Sequence, residues 1–193
     1  MPHCACQYRG EEATRLSSLE VVATPSFGKT DLDWLMRLRE ARAHSSGPPH
    51  FTLVFPGSAL EPHEFVREVT AAAAGATRIR FCLRSAIVVP DPQVSAYHVF
   101  LVPDAGFGSI VRLHDRLHAT SLAPCLRPDV PYLPHVTVAS AHDFAAARKI
   151  AASLNGKDLS IDGRIDELEV HRRDGDVVRC IARVKLAKGG LFG

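Results

Sequence analysis

Two histidines, His50 and His135, sit in copies of one short phrase: Pro49-His50-Phe51-Thr52-Leu53-Val54 and Pro134-His135-Val136-Thr137-Val138-Ala139. In extended backbone, side chains i and i+2 share a face, so each copy sets an imidazole beside a hydroxyl and turns the residue between them toward a core. Imidazole titrates near neutrality, with a reference pKa of about 6.5, so one of a pair can hold a proton while the other is free to take one. Threonine hydroxyls can donate to nonbridging oxygens as charge builds on phosphorus. Two such strands facing one cleft form a kit for phosphate ester chemistry: a base for the attacking oxygen, an acid for the departing one and two oxygen holders. The residues alone leave open which histidine does which.

The elements that must position this kit are also repeated. A strand at Leu19–Ala23, a helix over about Asp31–His44, the first histidine strand at about His50–Phe55 and a helix at about Pro62–Ala74 precede strand residues at Arg78–Val89. The second half reads strand Ala96–Val102, helix Ser109–Ala119, histidine strand Leu133–Ala139 and helix Phe144–Leu154. Hydrophobic periodicity carries the helices, and Pro62 suits a first helical turn. Leu168–His171 and Val177–Val184 then flank Asp174-Gly175, a hairpin signal. Strands beside helices without regular βαβ spacing predict an α+β fold. Two pseudo-symmetric lobes are expected, each an antiparallel sheet with helices on its outer face, around a central groove that holds His50 and His135.

On both His-x-Thr motifs, their separation, the helix placement and the terminal hairpin, the chain over about 17–186 resembles the 2H phosphoesterases. The branch it looks most like is the RNA 2′,3′-cyclic phosphodiesterases, also called 2′-5′ RNA ligases. The resemblance implies metal-independent opening of 2′,3′-cyclic phosphate ends, with Thr52 and Thr137 on the phosphate. It further implies that His50 protonates the leaving oxygen and His135 activates water, leaving a 2′-phosphate, together with a reversible 2′-5′ RNA ligase activity. Ser140 stands where several members carry arginine.

Other motifs compete for attention. Ala23-Thr24-Pro25-Ser26-Phe27-Gly28-Lys29-Thr30 satisfies a relaxed phosphate-loop pattern, which would make the chain an ATP-dependent kinase built on Gly28, Lys29 and Thr30. Pro25 lacks an N–H and only Gly28 gives flexibility, so a strand-to-helix turn capped by Thr30 or Asp31 is the better reading. His114 and His118 stand one turn apart as zinc ligands do, but no third ligand is apparent and an amphipathic helix accounts for them. His98, in a His-x-Phe sequence, reads as a strand histidine at the groove wall. Arg84, Tyr97, Phe107 and Tyr132 are candidate substrate contacts, arginine for phosphate and aromatics for base stacking, with packing as the alternative role.

The chain has 193 residues, 46% hydrophobic and 23% charged, with a formal charge of +2, so bulk charge does not announce nucleic-acid binding. Its five cysteines are scattered and odd in number, which argues against a disulfide framework. Cys82 and Cys180 read as core residues, and His3-Cys4-Ala5-Cys6 as a segment without a matching ligand set. Residues 1–16 are expected to be a mobile leader, 17–187 one bilobal domain and 188–193 a flexible tail. No cofactor, metal, membrane contact or obligate protein partner is expected. The expectation is a cytoplasmic monomer acting on RNA ends or nucleotide cyclic phosphates, with a non-catalytic RNA- or nucleotide-binding protein as the alternative.

Overall fold

Each histidine motif opens an edge strand. The computed structural model describes residues 18–42, 47–57, 60–91, 94–127 and 130–188. In chain order the elements are β1 (Ser18–Ala23), β2 (Ser26–Phe27), α1 (Lys29–Arg42), β3 (Phe51–Gly57), α2 (Pro62–Ala73), β4 (Ile79–Asp91), β5 (Ala96–Ala105), α3 (Phe107–His118), β6 (Val136–Ala141), α4 (Phe144–Asn155), β7 (Ile161–Ile165), β8 (Glu167–Asp174) and β9 (Val177–Lys185). They make two antiparallel sheets, β3-β1-β8-β9 and β2-β7-β4-β5-β6, an α+β architecture with one histidine motif at the edge of each.

The helices cross between the halves. The helix leading to the first motif, α1, packs on β6, and α3, leading to the second, packs on β3. Helix α2 lies against α3 and β9, while α4 covers β4, β5 and β6. Helix α4 begins where Asp143 accepts from the backbone N–H groups of Ala145 and Ala146 at 3.1 Å, a cap worth about 1 kcal/mol. Pro62 takes the first position of α2, where its missing N–H costs nothing.

Both motif strands carry the same irregularity. Val22 lies opposite Thr52 and Val21 opposite Val54, which leaves Leu53 as an extra residue in β3. Phe100 lies opposite Thr137 and Val99 opposite Ala139, which leaves Val138 extra in β6. A bulge therefore follows the threonine in each half, and bulges re-aim the side chains around them.

One continuous core joins the sheets. Phe81 of β4 meets Phe51 of β3 edge to face at 5.0 Å, and Phe27 of β2 meets Phe81 at 5.8 Å. Gly163 of β7 makes this possible, since a Cβ there would stand 2.4 Å from Phe81 Cζ.

Several expectations need correction. Both histidines lie just before their strands, not in them, and α1 starts two residues before Asp31. The phosphate-loop-like stretch instead forms β2, paired with β7, and Lys29 Nζ is engaged by Asp33 at 2.7 Å. Cys82 is buried, but Cys180 is exposed. Strand β9 is a sheet edge in which no residue is fully buried, so an apolar run there marks no core position. Residues 1–17 and 189–193, including the His3-Cys4-Ala5-Cys6 segment, lie outside the described residues. Among the described residues, no helix is long and apolar enough to cross a membrane.

Candidate active site

The two imidazoles are anchored alike. His50 Nδ1–H donates to the Pro48 carbonyl at 2.9 Å, and His135 Nδ1–H donates to the Leu133 carbonyl at 2.7 Å. A carbonyl only accepts, so both histidines carry their neutral-form proton on Nδ1 and offer Nε2 to a ligand. Pro49 and Pro134, both buried, fix the backbone torsion immediately before each histidine. The Pro-His part of the motif thus presets the tautomer, while in each His-x-Thr the middle residue, Phe51 or Val136, is buried and the histidine and threonine flanking it are half-buried.

Their surroundings differ. Phe100 lies face to face on His135, ring centroids 3.6 Å apart, and His98 continues the column with its centroid 5.9 Å from that of Phe100. Burial pushes His135 down to about 4, with the charges of His50 and His98 adding to the effect and the bond to Leu133 opposing it. His50 is also lowered, first by burial and then by the Arg39 and His171 charges, against the Pro48 bond and the Glu20 carboxylate. Each motif lies within electrostatic reach of the other.

His98 is held on both sides. Its Nε2 faces the Asp91 carboxylate at 3.2 Å, and its Nδ1 faces the Ser140 hydroxyl at 2.8 Å. The bulge at Val138 matters here: Phe100 pairs with Thr137 and His98 with Ser140, so both hydroxyl residues stand opposite the ring column. Across the site, buried Glu20 bonds Arg173 at 3.2 Å, while His171 Nε2 bonds Glu169 at 2.8 Å. Glu169, His171 and Cys180 bring potential ligand atoms within 4.8 Å of one another. Arg183 also stands 3.8 Å from Glu169, so the cluster is an ion-paired network.

Of the four candidate substrate contacts, only Tyr132 bonds a motif among the described residues: its hydroxyl donates to the Thr52 carbonyl at 3.2 Å. Its ring stacks on His114 at 3.6 Å, and burial raises its phenol well above the usual range. Arg84 pairs with Asp104 at 3.2 Å. Tyr97 packs on Phe144 of α4 at 5.4 Å, on the side of β5 opposite His98 and Phe100. Phe107 is half-buried at the start of α3. His114 Nδ1–H donates to the Leu53 carbonyl at 2.8 Å and His118 Nδ1–H to the His114 carbonyl at 2.9 Å, so this pair serves backbone.

Two residues beside the motifs escaped the sequence reading. Phe100, the last residue of the His-x-Phe sequence, covers His135 with its ring. Arg39 is 2% exposed on α1 and donates to the carbonyls of Thr137 and of Gly47, the latter at 3.1 Å. Its signal was a charge four residues after Leu35, on the buried face of the helix.

Two antiparallel sheets with a His-x-Thr motif on the edge of each define a protein of the 2H phosphoesterase fold. The chain belongs to the 2′-5′ RNA ligase superfamily, whose family model matches residues 29–177. A crystal structure of a phosphoesterase is similar at a TM-score of 0.58 and 14% identity, over 90% of this chain and 100% of that one. Kluyveromyces marxianus Usb1 is similar at a TM-score of 0.56 and 14% identity, over 88% and 98% of the respective chains. E. coli LigT in its apo form is similar at a TM-score of 0.56 and 14% identity, over 89% and 98%. No curated protein matches the chain in sequence.

Proposed function

We propose that this site hydrolyses 2′,3′-cyclic phosphate ends of RNA or nucleotides to a 2′-phosphate. The observation that carries the reading is the matched anchoring of His50 and His135, which leaves Nε2 of each for proton transfer. We assign His135, lowered to about 4 and so neutral at physiological pH, to the base and His50 to the acid; burial lowers His50 as well, which confines its charged form to acidic pH. His135 Nε2 takes a proton from water as the water oxygen bonds phosphorus. The bond from phosphorus to the 3′ oxygen breaks, and His50 Nε2–H protonates that oxygen. Thr52 and Thr137 hydroxyls hold the nonbridging oxygens, where negative charge increases. With a 5′-hydroxyl in place of water, the same groups would form a 2′-5′ phosphodiester: His135 Nε2 takes the hydroxyl proton as its oxygen bonds phosphorus, and the bond to the 3′ oxygen breaks as His50 Nε2–H protonates it.

The similar structures support a nucleotide ligand: LigT has been solved with 3′-AMP and Usb1 with uridine monophosphate. The test is turnover of nucleoside and oligonucleotide 2′,3′-cyclic phosphates in EDTA without ATP, with wild type beside His50→Ala and His135→Ala. Wild type should form the 2′-phosphate, and each variant should lose on the order of 10²- to 10⁴-fold in rate. Binding without turnover would mark a nucleotide-binding protein, and turnover that survives both substitutions would refute the two-histidine mechanism.

A further inference from the structure

We propose that Arg39 and Tyr132 are reciprocal positioning residues: the chain leading into each histidine motif ties down the backbone of the other motif, and these ties set how the two imidazoles face one substrate. The inference deepens the phosphodiesterase reading and rests on it for its kinetic consequences.

The motif strands lie at sheet edges, where outward-facing carbonyls lack ladder partners. In each half, the carbonyl of the motif threonine is claimed by a side chain that precedes the opposite histidine. Arg39, on the helix before His50, donates through Nη1 to Thr137 and through Nη2 to Gly47. Tyr132, three residues before His135, donates to Thr52. His114 reinforces the second tie by bonding the next carbonyl, Leu53, while its ring stacks on Tyr132. Both ties therefore act where the bulges redirect the strands.

A general structural role explains burial but not this reciprocity. A buried guanidinium carries a desolvation cost that an aliphatic residue would avoid, whereas its planar fork can hold two carbonyls from different segments. Arg39 also contributes a positive charge near His50, which is faced in addition by Glu20, His171 and, from the other motif, His135. The Arg39 tie thus brings a charge to His50 while its guanidinium holds the backbone of the other motif.

The experiment compares wild type, Tyr132→Phe, Arg39→Lys and Arg39→Met as full chains, by steady-state kinetics on a nucleoside 2′,3′-cyclic phosphate, thermal melting and histidine NMR titration. Tyr132→Phe keeps the stacked ring and removes only the hydroxyl. It should lower kcat by about 10-fold or more with KM little changed, and shift the His50 Cε1–H resonance across the site. Arg39→Lys should lower kcat on the order of 10- to 100-fold and shift the His135 resonance. Arg39→Met should raise the His50 titration midpoint relative to Arg39→Lys, which keeps a cation. Wild-type kcat and unmoved resonances in folded Tyr132→Phe and Arg39→Lys would overturn the proposal. If wild type lacks turnover, the phosphodiesterase reading fails, while the cross-site NMR shifts still decide whether the ties position the histidines.

Discussion

A histidine whose Nδ1–H is fixed on a carbonyl two residues back exchanges protons with substrate through Nε2. That anchoring is shared by His50 and His135, so their different proton affinities must come from what surrounds each ring. Phe100 closes one face of His135 and contributes to the burial that disfavors its cation. In the proposed mechanism, with His135 as base and His50 as acid, activity requires the first neutral and the second charged. The kcat/KM profile should therefore be bell-shaped with an optimum below about pH 6.5, its limbs belonging to the coupled pair. Phe100→Ser should admit water beside His135, raise its proton affinity and move the acid limb toward higher pH. An acid limb unchanged in that variant would show that the aromatic face does not set the base.

At the scale of elements, the halves are joined by packing as well as by the site. Phe27, Phe81 and Phe51 form an edge-to-face run that reaches the residue between His50 and Thr52, and Gly163 provides the space beneath Phe81. Gly163→Ala should destabilise the fold by about 1–3 kcal/mol through overpacking, measured by urea denaturation. Phe81→Leu in the same chain should recover part of the loss; additive damage from the two changes would place the strain elsewhere. This packing also explains what sequence could reveal. Pro-His-x-Thr is a local phrase, and Ile110, Leu113 and Leu117 follow a helical period, so both motifs and α3 were legible. Strand β7, Ile161–Ile165, has a glycine between two charged residues, and its place depends on Phe81 in another strand. The role of Arg39 was hidden for the same reason: its partners are carbonyls contributed by distant segments.

For the whole molecule, burying histidines in neutral form makes stability depend on pH. An unfolded histidine takes up a proton near pH 6.5, whereas native His135 does so only near 4. Between these values the unfolded chain binds more protons, so stability falls as pH falls from about 6.5 to 4 and this contribution then levels off. The shift corresponds to roughly 3 kcal/mol for His135, and His50 and His114 act in the same direction. Asp33 and Asp166 have lowered native proton affinities, so their contributions disappear mainly at still lower pH, below the usual carboxylate value. Histidine burial should therefore dominate the upper part of the acid transition. His135→Asn, which can retain a side-chain N–H toward Leu133, should lose about 3 kcal/mol less stability than wild type between pH 7 and 4 in urea denaturation. Parallel pH dependence in the two proteins would mean that His135 is not held neutral by the fold. A flatter curve for His135→Asn would instead show that the cleft keeps a proton acceptor ready at the expense of acid stability.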